Sequence, residues 1–464
     1  MCHAPFMQRD TDEGTGSSEA IGLFPEFAED PRPVADAAGL PTAPPAPRVR
    51  QAVREQLVLR PINLEELVGE DHPVRVVWAY VEEADLSALY ASIKAVEGRP
   101  GRAATDPKIL LALWMFATLE GVGSARALER LCRDHGAYQW ICGGVGMNAH
   151  TLSDFRVDHE AVLDQLLSQG VAALMVERLV TLSRVAQDGT RVRASAGAAS
   201  FRRLKTLKES LRVARQQVRR LRAELDQDPG ATSRRQQAAQ ERAASDRLER
   251  VRRALRRLPE MAAKKKGDKK AKARASTTDP SATVMKMADG GFRPAYNVHL
   301  CTDTASQVIV GVEVSTAGND QGQMLPMLEQ LRARYGQVPQ EILVDGGYVK
   351  KDDFDRAAQP DLGCVVYAPV AKPRSTTTDP FAPKAGDSDA VIAWRQRMAT
   401  PEAKKIYTER AATAECVHAL ARNRGLRLLP VRGRLKVRAV ALLYALVQGV
   451  MRAAALRAAA MQPA

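Results

Sequence analysis

The sequence predicts an α/β domain with a mixed sheet flanked by helices. An all-α domain precedes it and a helical hairpin is inserted into it. Three observations carry this expectation. Apolar residues recur at helical spacing through about 60–180, and strand-length apolar runs then alternate with helical patterns. Between the first strand and the next lies a long arginine-rich stretch with 3,4 apolar spacing. The 464 residues leave room for two or three domains. A composition of 45% hydrophobic and 26% charged residues excludes wholesale disorder, and no repeat suggests a fibre or solenoid.

Residues 1–55 combine acids, small residues and a proline run (Pro41, Pro44, Pro45, Pro47), which predicts a disordered tail. The start has no basic segment followed by an apolar core, so no secretory signal is expected. Residues 56–178 read as a helical N-terminal domain. Asp106-Pro107 supplies a capping oxygen and a first-turn proline, followed by Ile109, Leu110, Leu113, Met115, Phe116 and Leu119 at helical spacing. Gly121-Val122-Gly123 ends that helix, Ser124 caps the next, and Thr151 or Ser153 caps another through Phe155, Val162 and Leu166. Short helices across a glycine-containing turn resemble a helix-turn-helix, a pattern that both DNA contact and plain packing produce.

Residues 179–201 open the α/β domain with a strand over Leu179 to Asp188, where Val180, Leu182 and Ala186 alternate with polar residues. The insertion, 202–274, places Leu204, Leu207, Leu211, Ala214, Val218, Leu221 and Leu225 on one helix. After the breaker Asp228-Pro229-Gly230, a second carries Leu248, Val251, Leu255 and Leu258. These predict an antiparallel hairpin with arginine-covered outer faces, followed by a flexible loop at Lys264 to Lys272. Residues 275–458 complete the domain, beginning with strands at Ala295 to Thr302 and Val308 to Val314 joined through Asp303 to Ser306. A helix with Met324, Leu325, Leu328 and Leu331 comes next, then strands at Glu341 to Val344 and Cys364 to Val370, a linker at 372–390, and helices at 402–423 and 434–458. The longest apolar stretch near the end, Ala439 to Met451, stops at Arg452 and suits a buried helix better than a membrane span.

The net charge is +14, but its distribution says more. Residues 202–274 hold 25 Lys and Arg against 9 Asp and Glu, a net of +16, leaving −2 for the rest. Such a block attracts a polyanion, nucleic acid before anionic membrane. The six cysteines are scattered with no zinc spacing, so neither a disulfide framework nor a zinc site is expected, and the expected compartment is the reducing cytoplasm.

Two aspartates stand where a strand end meets glycine: Asp188 in VAQDGT and Asp345 in ILVDGG. At the carboxyl end of a buried strand such a side chain points into the ligand crevice, although Asp-Gly is also an ordinary turn. Two carboxylates converging from one sheet suit Mg²⁺, which keeps waters and phosphate oxygens as its other ligands; Mn²⁺ is the expected substitute. Paired divalent ions support phosphodiester displacement. A third carboxylate is offered by Glu415, eight residues after Tyr407 and seven before Arg422, which puts all three near one face of a continuous helix with the tyrosine and arginine able to reach phosphates. Glu409 is the competing, solvated acid.

At these residues the chain resembles a bacterial insertion-sequence transposase of the DDE type, in the IS4/IS5-like group. The likeness runs over roughly residues 55 to 455. It rests on DPKILLALWMFATLEG and HTLSDFR, then QDGTRVRASA, DGGFRPAYNVHLCTD, VDGGY, and a Tyr407-x-x-Arg410…Glu415…Arg422 signature ending in NRGLR. The resemblance implies an RNase H-like catalytic domain with Asp188, Asp345 and Glu415 as its metal-binding triad. It also implies that Tyr407, Arg410 and Arg422 flank the glutamate, and that the N-terminal helices recognise terminal inverted repeats of double-stranded DNA. The chain departs from the pattern after Glu415, where relatives carry Pro-Val and an aromatic residue and this chain has Cys416, the matching Val417 and His418, and at Arg422, where they carry lysine. Arginine keeps the charge as a planar fork. DNA contact is further expected from Arg219, Arg220, Lys264, Lys265 and Lys266, with the protein a homo-oligomer on DNA and no membrane partner. His150 and His299 read as turn or sheet residues rather than ligands. The expected activity is Mg²⁺-dependent strand cleavage and transfer; the alternatives are an RNase H-like nuclease and an inactive DNA-binding regulator.

Overall fold

A computed structural model describes residues 61, 63–95, 103–227, 234–372 and 379–461. The tail expected at 1–55, the breaker Asp228-Pro229-Gly230 and part of the 372–390 linker lie outside the described residues.

The sheet is built from β1 (Arg184–Arg193), β4 (Thr283–Lys286), β5 (Phe292–Asp303), β6 (Ile309–Ser315), β7 (Glu341–Leu343) and β8 (Val365–Tyr367); β2 (Phe201–Arg202) and β3 (Ala275–Ser276) form a separate ladder at the root of the insertion. β1 is central. On one side it pairs antiparallel with β5, placing Asp188 opposite Leu300 and Gly189 opposite His299. β5 in turn pairs antiparallel with β4 and β6 along its far edge. On the other side β7 runs parallel to β1, and β8 parallel to β7. The sheet is therefore mixed, and β1 lies where its antiparallel and parallel halves meet.

The first strand lies five residues later than its apolar pattern predicts. The alternating Val180 and Leu182 are indeed buried, but the N–H groups of Leu179 and Val180 both bond to Leu174 O, closing the end of helix Glu160–Val176. The strand then runs past Asp188 to Arg193 because β5 is twelve residues long and supplies ladder partners throughout. Asp188 is thus a mid-strand residue.

Among the N-terminal helices, Pro107–Leu119 is capped by Asp106 and Ala125–Asp134 by Ser124, as the sequence predicts. Helix Ala149–Asp158 is capped by Asn148, whose Oδ1 accepts from Thr151 N at 2.9 Å; Thr151 and Ser153 are inside the helix. Asn is as good an N-cap as Ser or Thr, and it comes first along the chain. Helix Asp389–Ala399, capped by Ser388, falls where a linker was expected to reach 390.

The insertion is an antiparallel pair, Leu204–Gln227 and Arg234–Ala263. Leu207 packs with Ala254 and Leu258, and Ala214 and Val218 with Ala244 and Leu248. These two clusters stand apart from the main core. The lysine run, expected as a flexible loop, contains a 3-10 helix at Gly267–Lys272. Helix Arg434–Met461 is long and apolar enough to cross a membrane by length and composition. Here it is a core helix: Leu442, Leu443, Tyr444 and Leu446 are buried where the N-terminal helices and the sheet share one core. Its Gln448 reaches β6, accepting from Ile309 N at 3.3 Å.

Candidate active site

Asp188 is held in the middle of β1 with 18% of its side chain exposed. Arg410 Nη2 lies 3.1 Å from Asp188 Oδ2, and Arg410 Nη1 lies 3.6 Å from Glu415 Oε1. One guanidinium therefore touches carboxylates that are more than two hundred residues apart in sequence. Burial nevertheless dominates at Asp188 and pushes its carboxyl up to about 6. Arg410 and the Gly189 N–H, 2.8 Å away, pull it down, while the charges of Asp345 and Asp320 push it up.

Asp345 closes β7 as expected, its carboxylate accepting from Gly347 N at 2.9 Å in a one-turn 3-10 helix. Tyr348, in that same turn, is fully buried and its hydroxyl is 2.6 Å from His299 Nδ1. His299 is a sheet residue, and burial pushes its imidazole down to about 3, so it stays neutral. His150 is an exposed helix residue.

Glu415 is on helix-rich chain packed over the sheet, but not on a continuous α-helix. Pro401–Arg410 leads into a π-helical turn, Ala411–Glu415, before Cys416–Asn423 resumes. A π turn accommodates an extra residue and rotates the downstream residues by about 100°, one residue of a 3.6-residue helix. The common face expected for Tyr407, Glu415 and Arg422 is therefore corrected. The Tyr407 hydroxyl, expected to reach a phosphate, donates to Val344 O at 3.2 Å and pins the helix to the end of β7. Arg410 faces the acids, and Arg422 is exposed. Glu415 itself is 64% exposed. Glu409, its competitor, takes both oxygens to Arg184 Nη1 at 2.7 Å, away from the cluster.

Sequence reasoning missed Asp320. It lies in the loop between β6 and helix Met324–Tyr335, accepts from Asn297 Nδ2 at 2.5 Å, and has Arg191 Nη2 at 3.8 Å. Burial pushes its carboxyl up as well. The glycines after the two predicted aspartates show where it sits. A Cβ on Gly189 would come 2.6 Å from Asp320 Oδ1, and one on Gly347 3.3 Å from Asp320 Oδ2. Gly189 is thus required by close approach, not by a turn. The signal available in sequence was an Asn319-Asp320 pair in a strand-to-helix loop, which carries no periodicity.

The donor set consists of hard carboxylate oxygens, the kind divalent Mg²⁺ prefers. Among the described residues no three His, Cys, Asp or Glu side chains stand together as a ready metal cage. Asp188 and Glu415 nonetheless both present oxygens to one cationic group, Arg410, and Asp345 and Asp320 raise Asp188 electrostatically. The residues fit a divalent cation in charge and donor type.

The basic side chains expected to meet DNA lie on the insertion. Arg219 and Arg220 are exposed, with Arg220 Nε 2.6 Å from Glu224, and Lys264, Lys265 and Lys266 are exposed after the second helix.

A mixed sheet with acids gathered beside its central strand and a cationic insertion is an arrangement suited to an enzyme acting on nucleic-acid strands. Two family models match: Transposase domain (DUF772) over residues 62–158, and Transposase DDE domain over 262–446. The chain belongs to the DDE transposases of insertion sequences, whose catalytic domains work with divalent metal ions. The second match includes Asp345 and Glu415 and leaves Asp188 and most of the hairpin outside. Searches of curated proteins and of solved structures return no significant match.

Proposed function

We propose that Asp188, Asp345 and Glu415 are the catalytic carboxylates, in an RNase H-like sheet, and that they hold Mg²⁺, with Mn²⁺ a substitute. The observation that carries this is the joint contact of Arg410 with Asp188 and Glu415, beside an Asp345 whose charge is felt at Asp188. When bound, such a cation activates a water or a 3′-hydroxyl and stabilises the leaving oxygen.

The chain's own groups supply position and charge. Asp188 is mostly ionised at neutral pH, since its carboxyl titrates near 6. Tyr407 fixes the Glu415 segment against the end of β7, next to Asp345. Glu415, exposed, is the carboxylate that meets solvent and an incoming strand. The Arg410 fork, touching both acids, matches a phosphate bidentately. Residues 56–178 would bind terminal inverted repeats and 202–274 the duplex backbone, on an oligomer of the chain.

The test is Asp345→Ala in the full chain with element-end DNA. Strand cleavage should vanish while end binding persists; undiminished cleavage overturns the assignment.

A further inference from the structure

A second cationic feature lies at the root of the hairpin, outside the carboxylate site. A cavity of about 300 Å³ is lined by Ser210, Arg247, Arg250, Thr277, Thr278 and Arg432. They come from both hairpin helices, from the segment after β3, and from the loop before helix Arg434–Met461.

These arginines differ from several on the hairpin's outer faces. Arg212, Arg220, Arg253 and Arg256 are matched by Glu209, Glu224 and Glu249 within 3.2 Å. Arg247 instead donates to Gln217 Oε1 at 3.4 Å and Arg432 to Ser195 O at 3.0 Å, both neutral acceptors. Arg250 is partly buried and feels Arg432 and Arg247 as like charges, against one acid, Asp246, on its own helix. Three guanidiniums around one cavity repel one another unless an anion sits among them. Their planar forks, with the hydroxyls of Ser210, Thr277 and Thr278, suit the tetrahedral oxygens of a phosphate.

We propose that this cavity binds one backbone phosphate of the DNA, holding the duplex at a fixed distance from the carboxylates. The inference rests on the DNA-transposase reading. Ser195 lies just past β1, so Arg432 is anchored beyond the end of the strand that carries Asp188. At about 3.3 Å per residue, Arg193 is roughly 17 Å from Asp188.

The test is fluorescence anisotropy of a labelled element-end duplex over 50–200 mM salt, with wild type, Arg250→Gln, Arg432→Gln and the outer-face control Arg253→Gln. Because the three arginines share one phosphate, each cavity variant should flatten the log–log salt slope by up to about 0.9, the value for losing that phosphate outright, which makes the affinity loss across that range up to about 3.5-fold smaller than wild type's. Arg253→Gln should change the slope less. Arg432→Gln lies in a loop and keeps the test open if the hairpin variant folds poorly. Unchanged slopes in both cavity variants overturn the proposal. So does loss of inorganic phosphate binding, by calorimetry, with the DNA slope intact, which would mark a site for free phosphate. Cleavage by wild type but not by Asp345→Ala, measured in parallel, shows whether the transposase reading stands independently.

Discussion

Replacing Asp188 with asparagine should stabilise the protein while removing a proposed catalytic group. Burial raises the Asp188 carboxyl from an ordinary 3.8 to about 6, so the folded state prefers it neutral. The ionised form therefore opposes folding fully above about pH 6, and the opposition fades as pH falls from 6 toward 3.8. Asparagine is neutral throughout and keeps an oxygen near Arg410. A shift of this size gives the Asp188→Asn variant an advantage of about 3 kcal/mol at pH 8, about half of that at pH 5 and under about 1 kcal/mol at pH 4. The assay is urea unfolding of both proteins in EDTA at those three pH values, followed by circular dichroism. Other groups titrate alike in the pair, so the difference isolates position 188. A variant less stable than wild type at pH 8, or a gap that does not narrow toward pH 4, would show that Arg410 outweighs burial and would refute the reasoning.

Gly189→Ala should be disruptive despite the small change, because its Cβ would lie 2.6 Å from Asp320 Oδ1 and 2.9 Å from both Asn297 Oδ1 and His299 Cε1. Overpacking of this kind costs about 1–3 kcal/mol, read by thermal unfolding, and cleavage should fall with it. Glu415→Gln changes an exposed side chain, so stability should stay within about 0.5 kcal/mol of wild type while cleavage of element ends falls to background. Retained cleavage would remove Glu415 from the site. Leu248→Ala should cost about 2 kcal/mol in a cluster separate from the main core. Hydrogen exchange should accelerate in the hairpin and not in β1 or β5; a uniform acceleration would show that the two fold as one unit.

Strands β5, β6 and β7, the hairpin and the Asp345 turn were legible because each arises from local periodicity or turn chemistry. Three features of the site were not. The apolar alternation stops at Asp188 and so reads as a strand end; only the length of β5 shows that the strand continues. Glu415 was placed by an unbroken helical period, which the π turn at Ala411–Glu415 violates, and no residue type in that turn announces it. Asp320 joins the cluster from a loop whose position depends on β6 and the helix after it, both remote from β1 in sequence. Local patterns locate elements well. They do not report which loop tertiary packing turns inward.

The charges of the site and of the insertion impose opposite demands on DNA binding. A strand brought to Asp188 adds negative charge where burial, Asp345 and Asp320 already disfavour it, and Arg410 alone does not offset them. The insertion, at +16, is the part whose charge would attract the duplex, and it stands apart from these acids. Close approach of a phosphate to the acids thus requires added positive charge, and a divalent cation and DNA should bind with positive coupling, each strengthening the other by the same factor. Typical couplings of 1–3 kcal/mol correspond to about 5- to 150-fold. Measured by anisotropy with Ca²⁺ in place of Mg²⁺ at constant ionic strength, end-DNA affinity should rise within that range for wild type. For Asp188→Asn, with one acid removed, the rise should shrink. An equal rise in the two proteins would mean that the cation acts on DNA away from the carboxylates, and that the insertion alone sets the affinity.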